Sequence, residues 1–120
     1  MPASPFDAAV RADADDVIID LRGDINGAAG PAFDAAYVEA TALAAGRVLL
    51  NFTDVTYINS TGIALIVAVL ARARAAGRQV VAFGLDEHYR EIFQITRLSD
   101  YMTLLPDESA ARGGHSSATV

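Results

Sequence analysis

Between Arg47 and Ala73 the chain passes from a nearly continuous apolar run, Arg47-Val48-Leu49-Leu50-Asn51-Phe52, through a polar junction into an apolar helical run. A strand that is apolar at almost every position is covered on both faces, as in the interior of a parallel sheet. Such a strand reaches a parallel neighbour only through a long crossover, usually a helix. This one stretch therefore points to an α/β unit with a central strand.

The rest of the chain supplies the neighbours. Phe6 to Arg11 reads as a short first strand and Asp13 to Asp16 as a solvated turn. In Val17-Ile18-Ile19-Asp20-Leu21-Arg22-Gly23, Val17, Ile19 and Leu21 share one face and Ile18 takes the other. Gly23 to Gly27 is turn-rich. Pro31 suits a first helical turn, and Ala32 to Ala45 follows at near-helical spacing until Gly46. Gln79 to Gly84 is a further strand. Asp86 caps a helix to about Thr96, with Tyr89, Ile92, Phe93 and Ile95 expected inward, and Tyr101 to Leu105 is a last short strand. From Asp107 the residues turn small and polar. The expectation is one α/β domain over residues 6–106, in the order β-β-α-β-α-β-α-β, with a mixed, mostly parallel sheet and helices packed on it. Residues 107–120 are expected to be a flexible tail, with too little apolar burial to offset ordering.

Ser60 and Thr61 lie where the central strand ends and the next helix begins, at or beside its N-cap. Side-chain oxygens there accept orphan backbone N–H groups. Those N–H groups and the helix dipole also suit an anion. Ser60 can thus be a plain cap or a phosphorylation site, and Thr61, expected at the first helical position and partly packed, is the second choice. In the following helix Ile63, Ile66, Val67 and Leu70 form the expected inward stripe, with Leu65 and Val69 beside it. Gly62 and Ala64 are small enough to let a partner backbone approach Ser60, along an apolar edge that could dock a partner.

Composition narrows the chemistry. The chain carries 15 Asp and Glu against 9 Lys and Arg, a net charge of −6, which argues against nonspecific nucleic-acid binding. It has no Lys for a Schiff base or a Walker-type phosphate loop, and no Cys for thiol chemistry or disulfides. His88 and His115 are isolated, and Asp13, Asp15 and Asp16 lack the further ligands of a calcium loop. No cofactor, metal site or catalytic residue is expected. No apolar run reaches the roughly 18 residues of a membrane span, and residues 1–7 lack the features of a signal peptide. A cytoplasmic protein is expected.

Asp54, Ile58, Asn59, Ser60, Thr61, Gly62 and Ile63 resemble the signature of the STAS domain found in bacterial anti-sigma factor antagonists: an acidic residue, variable positions, an apolar residue, Asp, Ser, Ser or Thr, Gly, then Leu or Ile. Leu21-Arg22-Gly23-Asp24-Ile25-Asn26 is similar to the family's Gly-Glu-Leu-Asp turn. The resemblance covers about Phe6 to Leu105. It implies a non-enzymatic regulator that binds an anti-sigma factor with serine kinase activity, is phosphorylated at Ser60, and is restored by a metal-dependent protein phosphatase. The partner-binding set it implies, with the apolar edge, is Asp24, Asn26, Asn59, Ser60, Thr61, Gly62, Ala64 and Leu65. The alternative is a STAS docking subunit of a transport or membrane-associated assembly without a phosphorylation switch.

Two positions depart from the pattern. Asn59 and Asn26 stand where the family commonly has Asp. Asn caps and turns about as well as Asp, so the local fold can be kept. The change removes two carboxylates expected near Ser60. Either kinase recognition is altered, or a phosphate is more easily accommodated; the sequence is compatible with both.

Overall fold

The computed structural model describes the backbone of residues 4–117 and the side chains of residues 4–113. Expectations placed on residues 1–3 and 118–120, and on the side chains of His115, Ser116 and Ser117, lie outside the described residues. Strands β1 (Asp7–Asp13) and β2 (Asp16–Ile25) form a hairpin. A 3-10 turn, Gly27–Ala29, leads into α1 (Gly30–Leu43). Then come β3 (Val48–Ile58), α2 (Ser60–Ala75), β4 (Val80–Phe83), α3 (Glu87–Ile95), a second 3-10 turn (Leu98–Asp100), β5 (Thr103–Leu105) and α4 (Glu108–Ser117). The sheet order is β1-β2-β3-β4-β5, with β1 antiparallel to β2 and the remaining pairs parallel. The expected order and mixed sheet are thus present, with a helix added at the end.

The period-2 division of the strands decides how the layers form. Val17, Ile19 and Leu21 of β2, with Val48, Leu50 and Phe52 of β3, pack beneath α1, α2 and α3. Phe33, Ile66 and Phe93 descend from those helices into this layer. The ring of Phe93 meets Phe52 edge-on at 5.8 Å between centroids. Ile18, Leu49, Val81 and Phe83 point to the opposite face, where Ala111 of α4 covers them.

That helix lies where a flexible tail was expected. Asp107 Oδ1 accepts the Ala110 N–H at 2.9 Å and caps its first turn. Ala111 is fully buried. Arg11 on β1 donates to both carboxylate oxygens of Glu108, at 2.5 and 3.0 Å, and Arg112 donates to both oxygens of Asp13, at 2.9 and 3.0 Å. The composition of the segment concealed these contacts: among its described residues the buried side chain is a single methyl, that of Ala111, and the ion pairs come from charged side chains.

Other expectations are corrected at single residues. Asp16 is buried, not part of a solvated turn. It accepts the Arg47 backbone N–H at 2.7 Å, and its other oxygen accepts from the Arg47 guanidinium at 2.9 and 3.2 Å. Strand β3 continues through the polar stretch Thr53 to Tyr57, because β2 pairs with it up to Ile25 opposite Ile58. Ile95 is exposed. It lies roughly 200° around α3 from Phe93, at about 100° per residue. In α2 the buried stripe is Gly62, Ile66, Val69, Leu70 and Ala73, and Val67 faces solvent.

Candidate functional site

The parallel strands β2 and β3 end in register, Ile25 opposite Ile58, and each is followed by an asparagine that caps the next turn. Asn26 Oδ1 accepts the Ala28 N–H at 2.9 Å and opens the 3-10 turn. Asn59 Oδ1 accepts the Gly62 N–H at 2.8 Å and opens α2. The strand ends are tied together as well, since the Asn59 N–H donates to Ile25 O at 3.2 Å. Ser60 is therefore the first helical residue and not the cap. It is exposed, on the first turn of a 16-residue helix whose leading N–H groups have no intrahelical acceptor. Thr61 is the second helical residue and also exposed, where partial packing at the first helical position was expected.

Gly62 sets how closely α2 sits on this junction. A Cβ built there would lie 1.9 Å from Ile25 O, so a side chain would push the helix start off the end of β2. On the same side, a Cβ at Gly27 would come within 3.3 Å of the Thr61 methyl, and one at Gly30 within 3.5 Å of Leu65. Glycines on the β2–α1 connection thus let it lie against the first turns of α2. Leu65 is half-buried there, while Ala64 is exposed.

Asp24 is engaged within the fold: its Oδ1 accepts the Thr56 hydroxyl at 2.5 Å and joins β2 to β3 below the site. Gly23, at φ 84°, precedes it at an irregularity in the β2–β3 pairing. Asp54 is exposed on β3 opposite Arg22. One contact had no sequence signal. The Tyr89 hydroxyl accepts the Ile58 N–H at 3.0 Å, while Asp86 Oδ1 accepts the Tyr89 N–H at 2.9 Å. Helix α3 thereby holds the end of β3 one residue before the Asn59 cap. Tyr89 was legible as an inward aromatic, but nothing in the spacing pointed to its hydroxyl.

The structure thus gathers Asn26, Asn59, Ser60, Thr61, Gly62 and Ala64 at the C-terminal edge of the sheet, with Asp24 and Leu65 supporting them. The arrangement offers two exposed hydroxyls, of Ser60 and Thr61, beside free N–H groups and two neutral caps. Among the described residues no group of His, Asp or Glu is placed to hold a metal ion. No described helix is long and apolar enough to cross a membrane.

Residues 8–106 match the family model described as "Mlab, STAS domain". An anti-sigma-B factor antagonist of Listeria monocytogenes is 30% identical over 104 residues, which is 86% of this chain and 90% of that protein. Among solved structures, an anti-sigma factor antagonist from Mycobacterium paratuberculosis is similar with a TM-score of 0.71 at 20% identity, over 89% of this chain and 91% of that one. The Bacillus cell fate determinant SpoIIAA in its phosphorylated form is similar with a TM-score of 0.65 at 20% identity, over 89% of this chain and 96% of that one. The two solved structures share the fold with this chain.

Proposed function

The chain belongs to the STAS-domain family of anti-sigma factor antagonists, and we propose that it binds an anti-sigma factor through the surface around Ser60 and is released when that serine is phosphorylated. The anti-sigma factor is then also the serine kinase, and a metal-dependent phosphatase returns the protein to its binding form. The whole cycle runs in the cytoplasm. The observation that carries this reading is the placement of Ser60. It is exposed at the first position of α2, and its neighbour Asn59 already supplies the cap. Its hydroxyl is not needed to hold the helix and is free to be modified. The reading is also supported by a protein of the same fold, SpoIIAA, having a phosphorylated form.

The two asparagines favour acceptance of the phosphate. A phosphoserine carries about −1.5 to −2 charges at neutral pH. Carboxylates at positions 26 and 59 would repel it, whereas amides cap equally well without that charge. The test is to incubate the protein with ATP and each candidate anti-sigma kinase from its own genome, then map the modified residue by mass. Modification at Ser60, lost in Ser60→Ala, is the expected result. Modification of Ser60→Ala to the wild-type extent would move the assignment to Thr61. Binding without modification by any kinase would favour a docking subunit with no switch.

A further inference from the structure

The solvent face of α2 does not end at Ser60. Ser60, Ala64, Val67, Ala71 and Arg74 follow at steps of three and four residues, and all are exposed. A surface helix normally carries charged and polar side chains along that face. Here Arg74 is the first charged residue on it, about 21 Å from Ser60 at roughly 1.5 Å per residue. At that far end the face opens into a groove of about 240 Å³ between α2 and the 3-10 turn after α3, lined by Val67, Leu70, Ala71, Arg74, Leu98 and Tyr101. Val67 and Tyr101, on the two sides of the groove, are 44% and 55% exposed.

The groove has a charged rim. The Arg74 guanidinium lies 5.2 Å from the centre of the Tyr101 ring. The nearby cations are engaged elsewhere: Arg72 pairs with Asp34 and Arg97 with Asp100. Among the described residues no carboxylate forms an ion pair with Arg74. The volume falls below the roughly 300–1,000 Å³ of small-molecule sites, so it suits a protruding side chain better than a free ligand.

We propose that this groove is a second anchor for the anti-sigma factor, taking an aliphatic side chain over Val67 and Leu98 and a neighbouring carboxylate on Arg74. This rests on the function proposed above. The occupant follows from charge complementarity at Arg74 and from continuity of the apolar face with the Ser60 surface. In this arrangement the phosphate acts at one end of the docked segment, and the groove holds the other end.

The test uses full-length protein and the anti-sigma factor that binds it in the kinase panel. Affinities are measured for wild type, Val67→Asp, Arg74→Glu and Tyr101→Ala, with Val38→Ala on the exposed side of α1 as control. Each groove variant is expected to bind at least tenfold more weakly, with circular dichroism and melting point unchanged and the control unaffected. Binding should also slow hydrogen exchange at residues 67–74 and 98–101. Wild-type affinity in folded groove variants would overturn the anchor and leave the Ser60 reading standing. If wild type binds no member of the panel, the proposed function fails and the anchor with it. If sedimentation shows a wild-type dimer that the groove variants lose, the occupant is a second copy and the proposal is wrong.

Discussion

Asn26 and Asn59 occupy equivalent places after paired strands and use the same atom, the side-chain oxygen, to cap the turn that follows. An aspartate oxygen could do this equally well, so the departure from the family pattern concerns charge and not local shape. Asn59→Asp should therefore change unfolding free energy by only a few tenths of a kcal/mol, whereas Asn59→Ala should cost about 1 kcal/mol through loss of the cap. Denaturant unfolding measures both, and equal losses would show that capping is not the role of Asn59. In the phosphorylated protein, Asn59→Asp should raise the second phosphate pKa above its usual value of about 6, because a nearby carboxylate disfavours the dianion. A phosphorus NMR titration with no upward shift would mean that the cap does not face the phosphate. Gly62→Ala is expected to be worse tolerated than either Asn59 change, by about 1–3 kcal/mol, since its Cβ would meet the backbone oxygen of Ile25. At this scale the motif was legible because caps and close approaches demand particular residues. The Tyr89 hydroxyl bond to Ile58 was not, because it joins residues that only the fold brings together.

Helix α4 is the element whose behaviour the structure revises most. A flexible tail could be removed without consequence, yet this helix covers Ile18, Leu49, Val81 and Phe83. Deleting residues 108–120 should lower stability by on the order of 2 kcal/mol, the worth of roughly 80 Å² of apolar surface at about 25 cal/mol per Å². An unchanged melting temperature would show that the helix adds nothing. Its docking should also depend on acid. The hydrogen bonds from Arg11 hold the Glu108 carboxyl below its ordinary range. For Asp20, burial pushes upward, but hydrogen bonds from Arg11 and Asn51 bring the carboxyl below its ordinary value. Because both folded pKa values are depressed, their contribution is complete above the ordinary carboxylate range of about pH 4 and is lost as pH falls below it. These are partly exposed pairs, so high salt should weaken them as well. Hydrogen exchange at Ala111, whose N–H donates to Asp107 O at 3.0 Å, should rise in acid before exchange in β3 does. Simultaneous exposure of both would make α4 part of the global unfolding unit.

Across the whole molecule, legibility followed apolar periodicity. The alternation of Val17, Ile18 and Ile19, the continuous run of β3 and the apolar course of α2 carried the sheet and its helical layer. Thr53 to Tyr57 of β3 and all of α4 were missed, because pairing and ion contacts hold them and not a hydrophobic pattern. The same architecture bears on how a switch would work. The sheet edge holds Ser60 at a helix start, where a phosphate meets free N–H groups and a favourable dipole worth roughly 0.3–1 kcal/mol. The modification should leave α2 intact and act outward on whatever covers the face from Ser60 to Arg74. The most direct test is the affinity of unmodified and Ser60-phosphorylated protein for the same anti-sigma factor, measured with circular dichroism on the same samples. The expected result is a loss of at least tenfold, about 1.4 kcal/mol, with the helical signal and the melting point kept. Equal affinity, or a loss of binding that comes only with loss of helix, would contradict it.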